Sequence, residues 1–345
     1  MSQRALWSAG VLVFLVVAAA CEGSYDEAVS NDAGANAPVD AAMLDATSTS
    51  EAATSQTDGG TSDGGTSDGG TSDGGAVCDP RKPFTKVERV PGLPSGAFCT
   101  RLYEDERIAY YSFDKETRVA TRDDGGAFGV GTKVVAEGNP SCASLSADRT
   151  RFFYEDFFAV VQQSGPPGGP FTSKVTIKPP KDLIIGTPFF DEPRAQLYVT
   201  LHIEKGEAFG NTSIAVAPVT GGSVGDFRRV DVGFGVTGGD TPRDGGSIRD
   251  YVFSTPVPSP DGLALYFTST RAPDGGVADF ELWVATRTSL ATDFGDPTRL
   301  EGPNGPTGEA PNWISADGCR LYFQSDREHP GTFSAPDAFL ATREP

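Results

Sequence analysis

Pro256-Val-Pro-Ser-Pro-Asp-Gly-Leu-Ala-Leu-Tyr-Phe-Thr-Ser-Thr-Arg271, followed after a loop by Leu282-Trp-Val-Ala-Thr-Arg287, reads as three β-strands. Ser259-Pro-Asp-Gly262 is a tight turn. Pro260 presets φ, and Asp261-Gly262 supplies the positive-φ pair that a two-residue hairpin needs. Leu265 to Ser269 is the returning strand, rich in aromatic and aliphatic residues.

The unit recurs. Trp313-Ile-Ser-Ala-Asp-Gly-Cys-Arg-Leu-Tyr-Phe-Gln-Ser-Asp-Arg327 leads to Ala338-Phe-Leu-Ala-Thr-Arg343. Asp261 to Val284 and Asp317 to Leu340 are both 23 steps. Upstream, Asp105 leads to Tyr110-Tyr111 and Val119-Ala-Thr-Arg122, and Asp148 leads to Phe152-Phe153-Tyr154. Pro193 stands where the Asp should be and leads to Leu197-Tyr198-Val199. The fifth residue after each of these turn anchors is aromatic: Tyr110, Phe153, Tyr198, Tyr266 and Tyr322. Ser-Pro-Asp-Gly followed by Leu-Tyr-Phe-Thr-Ser resembles the WD-repeat-like β-propeller repeat of the TolB type. The resemblance covers roughly 78–345 and implies a propeller fold and protein partners. It is nearly silent on function otherwise.

Long helix-period stretches are missing between residues 78 and 345, so the class is all-β. At ~45 residues per blade, the length suggests six blades. The anchors count five, spaced 43, 45, 68 and 56 residues. Ile214 to Val219 and Phe227 to Val232 complete the third blade, and a Gly-rich loop fills the rest of the long gap. Five blades with an insertion are therefore expected, with six as the alternative. The outermost strand of a blade reads Phe294-x5-Leu300-x-Gly302, and the same spacing occurs at Phe84-x5-Val90-x-Gly92, before the first anchor. The last copy stops one strand short, at Pro345. Phe84 to Val90 is therefore expected as the fourth strand of the last blade. Clasping the termini this way removes an open seam of unpaired strand edges.

The chain upstream reads differently. Residues 1–21 have Arg4, an apolar run from Val11 to Val17, and Ala18-Ala-Ala-Cys21. This resembles a bacterial lipoprotein signal, which implies lipid attachment at Cys21; an ordinary secretory signal is the alternative. Residues 22–77 carry eleven acids and no Lys or Arg, with Thr-Ser-Asp-Gly-Gly repeated three times from Thr61 to Gly75. Such a segment buries almost nothing and is expected as a disordered tether. Its length corresponds to a root-mean-square span on the order of 40 Å. A lipid-anchored propeller facing the periplasm or the exterior follows, at the outer membrane rather than the inner.

Two motif matches fail on context. Gly60-Thr-Ser62-Asp-Gly64 fits the nucleophile-elbow pattern, repeated at Ser67 and Ser72, but no strand and helix flank it. Gly233-Phe-Gly235-Val-Thr-Gly238 fits a dinucleotide fingerprint, but Gly-Gly-Asp-Thr-Pro follows instead of a helix. The formal net charge is −19, of which the tether carries −11, leaving about −9 on 78–345. An acidic surface argues against nucleic acid and against anionic lipid as partners.

Catalytic candidates are few. His202 and His329 lie in no metal-spacing motif and read as surface-loop residues. Asp105, Asp148, Asp261 and Asp317 are explained by turn chemistry. Arg271 and Arg327 are expected in contacts inside their blades, and Trp283 and Trp313 in the core. No catalytic residue, metal site or cofactor is assigned. The expected function is a non-catalytic binding or scaffold module with an envelope protein partner, as a monomer. An envelope hydrolase and a carbohydrate or small-ligand capture protein are the alternatives.

Four cysteines remain after Cys21, and an exported chain meets an oxidising compartment. Cys99 and Cys142 each lie six residues before an anchor, at one place on the inner strands of neighbouring blades. Cys319 lies two after Asp317, at the end of the last blade where its fourth strand begins, and Cys78 lies six before Phe84. Of three possible connectivities, Cys99–Cys142 with Cys78–Cys319 is expected. Free buried thiols are the alternative.

Overall fold

The computed structural model describes residues 77–138, 140–156, 159–179, 183–203, 212–232, 252–271, 277–330 and 336–345. The signal, Cys21, the tether up to residue 76 with its serine motif, and the Gly233 motif lie outside the described residues. Five antiparallel sheets form five blades of a β-propeller. After β1 (Lys86–Arg89), the first blade is β2 (Phe98–Tyr103), β3 (Ile108–Phe113), β4 (Glu116–Thr121) and β5 (Thr132–Lys133). The second is β6 (Ser141–Leu145), β7 (Arg151–Asp156), β8 (Ala159–Ser164) and β9 (Ser173–Ile177). The third is β10 (Leu183–Asp191), β11 (Gln196–Ile203) and β12 (Ser213–Thr220), on which both β13 (Ser223–Val224) and β14 (Arg228–Arg229) pair. The fourth is β15 (Phe253–Pro258), β16 (Ala264–Arg271), β17 (Val277–Thr286) and β18 (Thr298–Arg299). The fifth is β19 (Glu309–Ile314), β20 (Arg320–Ser325) and β21 (Asp337–Thr342), completed by β1. Lys86 pairs with Thr342 and Arg89 with Phe339, which is the expected clasp.

Both faces of each blade are covered, and the sequence pattern shows why. In β16 Ala264 and Tyr266 face the fifth blade, whereas Leu265 and Phe267 face the third. Alternation then gives an unbroken apolar run instead of an apolar–polar one. The five apolar clusters among the described residues each lie between two neighbouring blades. The cluster between the fifth and first blades, with Tyr322, Leu102 and Tyr111, closes the ring. All five aromatic residues at the repeated offset are at most 2% exposed. Fully burying one such side chain contributes about 2 kcal/mol.

The anchor turn differs from the two-residue hairpin that Asp261-Gly262 suggests. Pro258 pairs with Leu265, and Ser259 N–H donates to the Ala264 carbonyl at 2.8 Å, so four residues form the loop. Gly262 alone has positive φ, +73°. The reason is Ser259, whose hydroxyl accepts from Ala264 N–H at 2.8 Å and donates to Asp261 Oδ1 at 2.5 Å. Asp261 Oδ1 also accepts from Leu263 N–H at 2.9 Å. Ser146/Asp148 and Ser315/Asp317 repeat this set of bonds. The first and third blades use other turns. Glu104, Asp105 and Glu106 all have positive φ, and a 3-10 turn at Glu192–Arg194 ends on left-handed Ala195.

The recurrent Ala-Thr-Arg has a physical role. Arg122, Arg287 and Arg343 stack on Phe128, Phe294 and Phe84 at 4.5, 4.5 and 4.3 Å from the ring centres. Each donates through Nε to a turn carbonyl, of Glu106, Gly262 and Gly318 respectively, at 2.8 to 2.9 Å. Arg122 then reaches the Tyr322 hydroxyl at 2.9 Å, and Arg343 reaches that of Tyr266 at 2.6 Å, each on the preceding blade. Stacking on a ring and bonding through a planar fork suit arginine better than lysine.

Candidate functional site

The inner strands β2, β6, β10, β15 and β19 surround the axis, and every one is bulged. The bulge sits at one repeat position, six residues before the anchor. There Cys99, Cys142, Thr187 and Thr255 have φ of 50°, 46°, 43° and 51°. Pro311 occupies the same place in the fifth blade. A bulge turns its N–H out of the ladder, so that group needs another partner. The neighbouring blade provides it, always from the residue seven after the anchor. Ser112 Oγ accepts from Cys142 N–H at 2.9 Å. Glu155 Oε2 accepts from Thr187 N–H at 2.8 Å. Thr200 Oγ1 accepts from Thr255 N–H at 3.0 Å, and Gln324 Oε1 from Cys99 N–H at 3.0 Å. Pro311 has no N–H, and there Thr268 Oγ1 donates to the Glu309 carbonyl at 3.1 Å. A ring of side chain to backbone bonds thus joins all five blades.

The cysteines close the same ring and the clasp. Cys99 and Cys142 form a disulfide between the first two inner strands, with Cα atoms 4.8 Å apart. Cys78 and Cys319 form the second, with Cα atoms 5.2 Å apart, and Cys78 N–H also donates to the Asp317 carbonyl at 2.8 Å. All four cysteines are buried.

At the turn end of the channel lies a cavity of about 280 Å³. Tyr103, Glu104, Asp105, Trp313, Ala316 and Arg320 are among its walls. Charges at this rim link blades. Arg149 pairs with Glu104 at 2.7 Å. Glu106 accepts from Arg320 Nε at 2.6 Å and from the Tyr322 hydroxyl at 2.7 Å. Arg194 donates to the Pro260 and Ser259 carbonyls at 2.8 and 2.9 Å. Trp283 is buried in the core as expected. Trp313 is only half-buried: it packs edge-on against Tyr322, ring centres 5.7 Å apart, and its other side lines the cavity.

The remaining candidates fall apart chemically. His202 is not in a surface loop; it lies in β11 opposite Ile184, because that strand runs on past its aromatic centre. Burial holds its imidazole down at about 4. His329 is exposed after β20. Its Nε2 lies 3.3 Å from Ser95 Oγ and 3.5 Å from Asp337 Oδ2. Both of these contacts are made by the same ring nitrogen. Asp337 is held by Arg89 at 3.2 Å and by Gly96 N–H at 2.9 Å. Glu328 joins this group, but the Arg89 guanidinium, 3.7 Å from it, opposes a cation there. Arg327 stays inside its blade as expected. It stacks on Phe323 at 5.0 Å and on Phe339 at 4.9 Å, meets Glu309 Oε1 at 3.4 Å, and donates to the Pro303 carbonyl. Half-buried Arg271 ends β16. Burial pushes Glu155 and Glu309 each up to about 7. They sit on the second and fifth blades, and each is engaged in bonds within the ring or its own blade.

One channel residue had no signal in the sequence. Arg101, four before its anchor, is 2% exposed and crosses from the first blade to the third. Its guanidinium lies 4.7 Å from the Phe189 ring centre, and Nη2 is 3.5 Å from the Pro188 carbonyl.

No protein-family model and no curated protein matches the chain. Among solved structures it is similar to a candidate TolB protein of Agrobacterium tumefaciens at 14% identity and a TM-score of 0.40, covering 68% of this chain and 71% of that one. It is similar to a gluconolactonase of Xanthomonas campestris at 13% identity and a TM-score of 0.41, covering 75% and 90%. It is similar to the β-propeller domain of Cps50 (Swd1) from Myceliophteria thermophila at 9% identity and a TM-score of 0.38, covering 70% and 67%. At these values the likenesses carry no inference about activity; the propeller stands on its own strand order.

Proposed function

We propose that this chain is a lipid-anchored envelope protein whose propeller is a non-catalytic binding module for a protein partner, engaged at the turn-end mouth. The observation that carries the reading is how the polar side chains around the axis are used. Ser112, Glu155, Thr200 and Gln324 hold backbone N–H groups of neighbouring blades, which makes them structural. The mouth, in contrast, combines aromatic walls with acids at a cavity large enough for a side chain. Tyr103 and Trp313 offer the anchoring surface typical of interfaces, and Asp105 makes no ion pair among the described residues. The signal and the acidic tether support anchoring through Cys21, with the propeller held off the membrane.

A photoactivatable cross-linker at exposed Ala316, in the full-length anchored protein, tests this. One discrete protein adduct is expected, lost on Asp105→Lys. Adducts unaffected by that change would place the partner elsewhere. Turnover of envelope glycan or peptide by the purified protein would favour the hydrolase reading.

A further inference from the structure

Arg101 is a buried cation with no carboxylate partner among the described residues. Among the described residues its Nε and Nη1 have no hydrogen-bond partner, and its Nη2 makes one long contact. Among the described residues the only ionisable group acting on it is the Tyr103 phenol. A buried charge without a counter-charge costs several kcal/mol, so an arrangement like this points to a missing partner.

Two further orphans lie at the same depth. Thr100 Oγ1 and Asn312 Nδ2 are buried and have no partner among the described residues, at 0% and 2% exposure of their residues. Both residues stand five before their anchors, on the neighbouring inner strands of the first and fifth blades. Pro188, the residue that Arg101 reaches, stands five before its anchor on the third. The guanidinium therefore spans the axis at the level of Thr100 and Asn312. Every orphaned group in this set can donate, and nothing among them is an anion. Above them, the acids of the mouth do not repel an anion as strongly as their number suggests. Glu104 is paired with Arg149, and Glu106 with Arg122 and Arg320.

We infer that the propeller axis holds a small monovalent inorganic anion, of the size and charge of chloride, against Arg101, Thr100 and Asn312. One guanidinium compensates one charge, so a multivalent oxyanion would remain unbalanced in this enclosure. The anion would join the inner strands of the first and fifth blades, and through Arg101 the third, at the centre, where the bulges interrupt the sheet ladders. It is independent of whatever the mouth binds.

The test uses the full-length protein in sodium chloride and, at equal ionic strength, in sodium gluconate, whose anion is too large to enter. Chloride at ten times its Kd is expected to raise Tm by about 3 °C relative to gluconate. Broadening of the 35Cl resonance by the wild type should be lost in Arg101→Met. Equal Tm in the two salts, with no broadening, would mean that water fills the site and overturns the inference. Equal broadening by Arg101→Met would do so too, by placing chloride elsewhere. If Arg101→Met fails to fold, crystals of the wild type in sodium bromide decide. An anomalous peak within hydrogen-bond reach of Arg101 supports the site, and its absence overturns it.

Discussion

Glu309 begins β19 with its carboxylate buried; Oε1 accepts from Ser325 at 3.1 Å while Oε2 has no hydrogen bond among the described residues. Burial pushes it up to about 7, as it does Glu155. A raised carboxylate pKa makes the native state the better proton binder between the unfolded value of 4.5 and about 7. Its stabilising effect is complete below that window and is lost as pH rises through it. His202 acts oppositely. Held down at about 4, it stabilises fully above 6.5 and loses that effect as pH falls. Two glutamates outweigh one histidine, so stability is expected to fall between pH 5 and 7, each glutamate contributing about 3 kcal/mol at most. Glu309→Gln should remove most of that slope in urea titrations at pH 5, 6 and 7; an unchanged slope would refute the assignment. The anchor aspartates allow a comparison of sites. Asp261→Ala or Asp317→Ala removes two hydrogen bonds and should cost about 1 to 2 kcal/mol. Asp105→Asn, which keeps a side chain tolerant of the left-handed φ of +52° in a turn built without those bonds, should cost less than about 0.5 kcal/mol. Equal losses would show that the two turns are the same.

At the scale of strands, the bulge ring and the joints between outer strands set the blade geometry. Thr200→Val keeps the shape of the side chain but leaves the buried Thr255 N–H without an acceptor, a cost of about 1 to 3 kcal/mol. Thr200→Ser keeps the hydroxyl and should recover most of it. Denaturation midpoints that rank serine with valine would mean that packing, not the bond, matters there. Gly302 marks a joint. With φ +99° it lies so close to β1 that a Cβ would come 2.0 Å from the Phe84 carbonyl oxygen. This explains why the Phe-x5-Leu-x-Gly spacing was readable: glycine is required where one outer strand passes under the next. The aromatic offset and the clasp were legible for the same reason, because each depends on one residue type at a fixed distance from the anchor. The bulge ring was not. Cys, Thr and Pro share no chemistry at that position; only the backbone conformation is common to most of them. Arg101 was hidden too, since its meaning comes from blades that are distant in sequence. The loop at Asp261-Gly262 is longer than that dipeptide implies because the Ser259 hydroxyl, two residues earlier, widens the turn.

Over the whole molecule, closure depends on residues far apart in the chain. β1 completes the fifth blade, and Cys78–Cys319 ties it at a sequence separation of 241. In the chain-entropy model a loop of that length is worth about 5 kcal/mol. Cys78→Ser with Cys319→Ser should therefore lower Tm and expose β1 to hydrogen exchange before the first four blades. Upstream, the proposed anchoring through Cys21 predicts that the wild type partitions with membrane and that Cys21→Ala does not; an unmodified N-terminus found elsewhere by mass spectrometry would contradict the proposal. Export, closure of the ring and the register of the N-terminal strand all converge on the cysteine pairing. Non-reducing peptide mapping of the exported full-length protein tests them together. It should return Cys78–Cys319 and Cys99–Cys142 as the only links, whereas a Cys78–Cys99 link would contradict the closed five-bladed ring and free thiols at these positions would contradict export into an oxidising compartment.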